Sequence, residues 1–502
     1  MTKDLIEENA GTGPTLHPSA SIPTGDPQSA SATGNYVTLP ADFPAITVTA
    51  PANDTAPGLL FAATFIPTAF GKGERTSYLL ILEDTGQPVY YQRLPNDLAL
   101  DFKVLSDGTL SYFDSTRNLW VIMDDSYREM ATVRPGNGLN AADPHELQLL
   151  ENGHYLIMAD QLVTIDMSKR VPGGLTQTPV LQQIVQEVDV AGMVYFNWPI
   201  LKYVPLTDTN QSLTEPTISP GQGSIKVPVV GYSHCNAIEV DTDGNLLLCC
   251  RGLDSIIKIN RANGAIMWRL GGKANNFRFA LGPGVPITEP VHFYYQHDIR
   301  RLPNGNITLF DNHSNPGPQH SRALEYELDE QNLTATLVRA LHHSPDTYSR
   351  ALGNVQTLPN GNRMVGWGLN AEHTLTEYHP DGRTAFEMHF GNRLISYRAL
   401  RFPWHGHPAW PPAMVLQPAN NVLNLIVSWN GATDVVGYRI FGGASSPDTL
   451  LGTEARTGFE TRVALQGAQA SYRYYQVVPV DLQGQPMQAS DWAENPVAAS
   501  CP

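Results

Sequence analysis

From about residue 57 to 410 the chain runs in short stretches where apolar and polar positions alternate, each stretch closed by Gly, Pro, Asn or Asp. Alternation with period two marks strands with one face buried. Almost no stretch carries the 3.6-residue spacing of an amphipathic helix, so the pattern predicts an all-β domain.

Aligned on their turns, the stretches repeat: DFKVLSDGTLSYFDS, HELQLLENGHYLIMAD, HCNAIEVDTDGNLLLCCR, HDIRRLPNGNITLFDN and GNVQTLPNGNRMVGWG. Each reads as a hairpin whose Asp-Gly or Asn-Gly pair supplies the positive φ of a tight turn. A second hairpin follows in most copies, as in SIIKINRANGAIMWRL, LVTIDMS with IVQEVDVAGMVYFNW, and LTEYHPDGRTAFEMHF. Four strands per repeat make a propeller blade. GLLFAATF with YLLILEDTGQPVYYQRL adds a divergent first copy, so a six-bladed β-propeller is expected over residues 41–412.

After FPWHGHPAWPPAM the pattern changes. LNLIVSWNGATDVVGYRIFGG and TRVALQGAQASYRYYQVVPVDLQG resemble a fibronectin type III-like β-sandwich, with Trp429 as core tryptophan and Tyr438 on the next strand, over residues 413–502. Residues 1–40 are rich in Ser, Thr, Gly, Pro and Ala and bury too little to offset the entropy of ordering, so a disordered tail is expected there.

Composition narrows the partners. The formal net charge is −16 and charged residues are 16% of the chain, which argues against a nucleic-acid surface. The first residues contain no apolar signal-like core, and no run reaches the length of a membrane span, so the sequence as given reads as soluble without an export signal. The four cysteines, Cys235, Cys249, Cys250 and Cys501, show no CxxC spacing and are read as buried thiols rather than a disulfide framework.

The candidate chemistry lies in the repeat phase. Eight residues before the hairpin Gly stand Leu100, His145, His297 and Gly353, and a loop two residues longer puts His234 at the matching strand start. Equivalent positions in successive blades line one ring, so these three imidazoles should converge on an axial pocket. Asn236 shares the strand face of His234, and Arg251 ends the same hairpin. Both can supply donors to an anion.

H-x-N-A-I, the later Arg, IIKIN with NGAIMWRLGG, and QHDIRRLPNGNITLFDN resemble the arylsulfotransferase family, particularly its branch shared by bacteria and fungi. The resemblance implies PAPS-independent transfer of a sulfuryl group from an aryl sulfate to a phenol through a sulfohistidine intermediate. It implies His297 as nucleophile, His234 and Asn236 as its supporting His-x-Asn, Arg251 as the following Arg and His145 as the earlier histidine. No cofactor or metal is assigned. Two other readings remain open at this level. One is a metal-dependent lyase or oxygenase using the axial histidines; the other is a non-catalytic propeller that binds a glycan or protein.

Overall fold

The computed structural model describes residues 36–67, 76–95, 98–218, 228–314, 319–420 and 422–497. The expected tail lies outside these up to residue 35, as does Cys501. The protein is all-β: short 3-10 turns are its only described helices. Among the described residues no helix is long and apolar enough to cross a membrane.

Residues 46–402 form six antiparallel-based sheets in chain order. Five have at one edge the strand on which the repeats were aligned: Ala99–Val104, Ala142–Leu149, Cys235–Val240, His297–Arg301 and Asn354–Thr357. The hairpin glycines Gly108, Gly153, Gly244, Gly305 and Gly361 have φ from 78° to 88°, as the turn chemistry required. The remaining sheet pairs Leu59–Phe65, Thr76–Leu82 and Pro88–Pro95 with Ile395–Phe402 from the far end of the repeats. In return, Ile46–Ala50 adds an outer strand to the sixth sheet. Neither exchange was expected. Both are long-range pairings that no local pattern announces.

The third sheet corrects a second reading. LVTIDMS begins no new strand: Tyr155–Ile165 runs on without a break and pairs along its whole length with Thr178–Val188. Val194–Pro199 is the fourth strand.

The cores lie between sheets. Leu79 packs with Phe102 and Leu119, Trp120 with Leu147 and Ile157, Met158 with Ile238 and Leu248, and Ile256 with Leu309 and Leu324. Phe310 packs with Val365 and Trp367, and Leu60 and Leu80 of the first sheet pack with Met364 and Phe386 of the sixth. A strand covered on both faces needs no polar side. Leu119–Met123 (LWVIM) and Leu246–Cys250 (LLLCC) are buried throughout, and each large apolar side chain so buried contributes roughly 1.5–3 kcal/mol.

After residue 412 two further sheets face a core of Trp429, Tyr438, Tyr475 and Val477. One holds Ala413–Ala419, Val422–Ser428 and Glu460–Gln466; the other holds Thr449–Ala455, Gly437–Gly443, Tyr474–Val480 and Ala493–Glu494. This unit is fastened to the first sheets. Asn430 bonds the backbone of Tyr91 as acceptor and as donor, both at 2.9 Å, and Tyr127 donates its hydroxyl to Gly431 O at 2.8 Å. The last residues of the expected tail are also held, because the Val37 and Thr38 amides donate to Oε1 of buried Glu460 at 2.6 Å.

The cysteine reading is corrected too. Cys235 and Cys250 stand opposite each other on paired strands and form a disulfide, while Cys249 points to the other face as a buried free thiol. The sequence placed the two partners on one hairpin, but only the register sets them face to face.

Candidate active site

The start of each inner strand positions the chemistry. His145 lies on Ala142–Leu149, His297 opens its strand, and His234 precedes Cys235–Val240 in a left-handed conformation with φ 43°. The rings of His145 and His234 lie edge to face at 5.2 Å, and Tyr397 closes on His145 at 5.7 Å. Arg251 donates its backbone amide to His234 O at 3.0 Å. The Cys235–Cys250 disulfide joins the immediate chain neighbours of His234 and Arg251 and ties the two segments together.

His297 is 1% exposed, and its tautomer follows from its partners. The Asn312 amide NH2 donates to Ser349 O at 2.8 Å and Leu352 O at 2.9 Å, which turns Oδ1 toward His297 Nδ1 at 2.6 Å. Nδ1 therefore carries the proton. The lone pair sits on Nε2, where the Leu352 amide donates to it at 3.2 Å.

Burial, followed by the charge of Arg251, holds the conjugate acids of His234 and His297 well below the ordinary imidazole range. Both rings are neutral near pH 7. Arg251 is 4% exposed, lies over the Tyr295 ring at 4.9 Å and donates through Nη2 to Arg350 O at 3.2 Å. Its Nε is buried without a hydrogen-bond partner among the described residues, and burial pushes its pKa down to about 10. A small polar pocket touches Arg251 and His234, with Gln211, Thr217 and Gly231 on its walls. Beside it, burial raises Asp254 to about 6.

His145 has a partner that sequence reasoning missed. Its Nδ1 lies 2.7 Å from Oδ1 of Asp143, whose other oxygen accepts from Gln183 at 2.9 Å. Burial, followed by the neighbouring Asp143 carboxylate, pushes the Asp160 carboxyl well above its ordinary range. Asp143 precedes His145 by two residues and shares its strand face, a signal present in the sequence.

Asn236 is placed differently from the expectation of a free donor. The residue is 0% exposed, Nδ2 donates to Gln296 O at 2.9 Å, and Oδ1 is buried without a hydrogen-bond partner among the described residues. Its carbonyl accepts from the Tyr397 hydroxyl at 3.0 Å and from Arg398 at 3.2 Å. It joins the site to a buried ionic layer.

That layer was also missed. Asp101, Glu146 and Asp298 each follow the aligned repeat position by one residue, and Lys103 and Arg300 follow it by three. Lys103 bridges Asp101 and Glu146 at 2.7 Å, and Arg300 bridges Glu146 at 2.7 Å and Asp298 at 2.6 Å. Arg398 reaches all three acids at 2.9–3.2 Å. Asp101 and Asp298 have φ of 53° and 60°, where the strand register breaks. An acidic column one residue after the histidine column would have revealed the layer.

A model of the arylsulfotransferase (ASST) family matches residues 102–391, more than half of the chain. The chain belongs to the arylsulfotransferase family. Arylsulfotransferase-type activity in general follows from that membership. No curated protein matches the chain significantly. Similar solved structures include a Bacteroides caccae protein of unknown function (14% identity, TM-score 0.40, covering 68% of this chain and 98% of that one). A virginiamycin B lyase from Staphylococcus aureus is 8% identical, with TM-score 0.32 and coverage of 76% and 95%. The periplasmic gluconolactonase of Pseudomonas aeruginosa is 13% identical, with TM-score 0.34 and coverage of 87% and 96%.

Proposed function

We propose that this arylsulfotransferase-family protein moves a sulfuryl group from an aryl sulfate to a phenol through His297. In this reading the six sheets are the blades of one propeller, the histidines share its axis, and the last two sheets are a fibronectin type III-like sandwich. The single observation that carries the chemistry is the His297 tautomer: Nδ1–H is held by Asn312, which leaves the lone pair on a neutral Nε2, capped by the Leu352 amide.

That lone pair attacks sulfur as the sulfur–aryloxide bond breaks, and the electron pair leaves on the phenolate. His145, oriented by Asp143, gives the phenolate a proton. Sulfated at Nε2 and protonated at Nδ1, the ring is cationic and a good leaving group; Asn312 Oδ1 stabilises its charge. The acceptor phenol then attacks sulfur, its proton passes to His145, and the nitrogen–sulfur bond returns its electrons to Nε2.

Arg251, whose Nε has no partner among the described residues, and the Leu352 amide, released from Nε2 by the attack, are the donors best suited to the sulfuryl oxygens. Asn236 supports this site through Gln296, Tyr397 and Arg398. A metal at the axial histidines is disfavoured by the neighbouring Arg251 cation.

The test is a chromogenic aryl sulfate mixed with the protein without acceptor. One equivalent of phenol should appear in a burst, the intact mass should rise by one sulfuryl group, and phenol should remove it. His297→Ala should lose all three. Turnover that survives in His297→Ala removes this histidine as nucleophile, and one bound divalent ion per chain that is lost in His297→Ala favours an axial metal enzyme.

A further inference from the structure

A second histidine cluster lies on the outer part of the sixth sheet. His343 follows the strand Thr334–His342, His373 precedes Leu375–Tyr378, and Glu387 lies within Thr384–Phe390. One potential ligand atom from each lies within 4.8 Å of the other two. The two imidazole rings are 3.8 Å apart.

The hydrogen bonding of His343 sets an electrostatic problem. Its Nδ1 faces Pro345 O at 2.7 Å and its Nε2 faces Glu387 Oε2 at 2.8 Å. A carbonyl can only accept, so Nδ1 bears a proton. A neutral ring would then turn a lone pair on Nε2 toward a carboxylate oxygen. The ring nitrogen and the carboxylate oxygen are thus two potential ligand atoms turned toward each other.

The surroundings fit a cation. Nδ1–H bonded to a backbone carbonyl is the arrangement that aims Nε2 of a metal-bound histidine. Glu387 is oriented in turn by Thr49, which donates to Oε1 at 2.7 Å, and by Thr376, which donates to Oε2 at 3.0 Å. A tetrahedral ion with bonds of about 2.0–2.1 Å separates its ligand atoms by roughly 3.3 Å, within the range these atoms span. An independent observation points the same way. His389, two residues after Glu387 on the same strand face, buries Nδ1 without a hydrogen-bond partner among the described residues.

We propose that His343, His373 and Glu387 bind one divalent transition ion of the zinc type, with His389 or water completing the shell, at a site separate from the axial histidines. Two imidazoles and a carboxylate suit that ion. The site joins the connection after the fifth sheet to two elements of the sixth. Through Thr49 it also reaches the added strand Ile46–Ala50. The bound ion therefore stabilises the fold.

The full chain, stripped with EDTA and desalted, is titrated with zinc chloride by calorimetry. Its zinc content is measured after gel filtration and its Tm recorded with and without zinc. One equivalent and a higher Tm are expected. His373→Ala, a change to a half-buried loop residue, should bind at least about tenfold more weakly and lose the Tm gain, as should Glu387→Gln. His297→Ala and the surface variant His407→Ala should each keep the equivalent. Uptake below half an equivalent overturns the proposal, as does unchanged uptake in both His373→Ala and Glu387→Gln. Loss of the equivalent in His297→Ala or His407→Ala overturns it too, since the ion would then sit elsewhere.

Discussion

The backbone amide of Leu352 donates to Nε2 of His297 at 3.2 Å, while Leu352 O accepts from the same Asn312 that holds His297 Nδ1. One loop therefore caps the lone pair and fixes the proton behind it. Leu352 has φ 66°, so this loop adopts a conformation that a branched-chain residue enters only when its surroundings demand it.

Asn312 is thus a positioning residue for His297. Asn312→Ala should slow the burst about 10- to 100-fold, the usual scale for losing the partner that orients a histidine. Asn312→Asp should keep the tautomer but stabilise the imidazolium, which moves the acid limb of the pH–rate profile upward. Pre-steady-state rates from pH 4 to 8 check both, and an unmoved acid limb in Asn312→Asp counts against the assignment.

Arg251→Ala should lower the burst rate about 10²-fold or more, because a donor aimed at developing charge is lost from a water-poor pocket. Arg251→Lys should recover only part of that loss, since a point charge replaces a fork. Circular dichroism should show both variants folded.

In the wild-type chain the pKa values of His234 and His297 are lowered by burial, and protonation of His297 would remove the lone pair that the proposed mechanism uses. Protonation of these two rings should therefore cause no loss of activity as pH falls through 6.5, only well below it. On the alkaline side, Arg251 loses its charge near 10, so the rate should fall as pH approaches that value. A profile with its acid midpoint at 6.5 contradicts the burial of these rings.

Reducing Cys235–Cys250, or replacing both residues with Ser, frees a loop closed over 15 residues and should cost about 3 kcal/mol of stability. Because the bond joins the neighbours of His234 and Arg251, the burst rate should fall in the same samples. Denaturant titrations with and without dithiothreitol measure the first effect, and stopped-flow traces the second.

Deleting residues 1–35, a stretch poor in apolar side chains, should leave Tm nearly unchanged. Extending the deletion through residue 40 should lower it, because buried Glu460 loses the amides of Val37 and Thr38. Differential scanning calorimetry of the two truncations separates the cases.

Much of this protein was written locally. Period-two alternation and Asn-Gly or Asp-Gly turns depend on neighbouring residues, so the hairpins and their glycines could be read directly, and the repeat phase aligned His145, His234 and His297. Asp143 and the acidic column Asp101, Glu146 and Asp298 were legible by the same logic. Contacts between distant segments were not. The pairing of Leu59–Phe65 with Ile395–Phe402, the Cys235–Cys250 bond, the hold of Asn312 on His297 and the meeting of His343, His373 and Glu387 each depend on register or on sheets packing together. A strand's pattern specifies which face is buried, while the partner that covers it is chosen by the global packing that removes the most apolar surface from water. Pattern alone could therefore name the histidines, and only the assembled sheets decided which atom of His297 bears the proton.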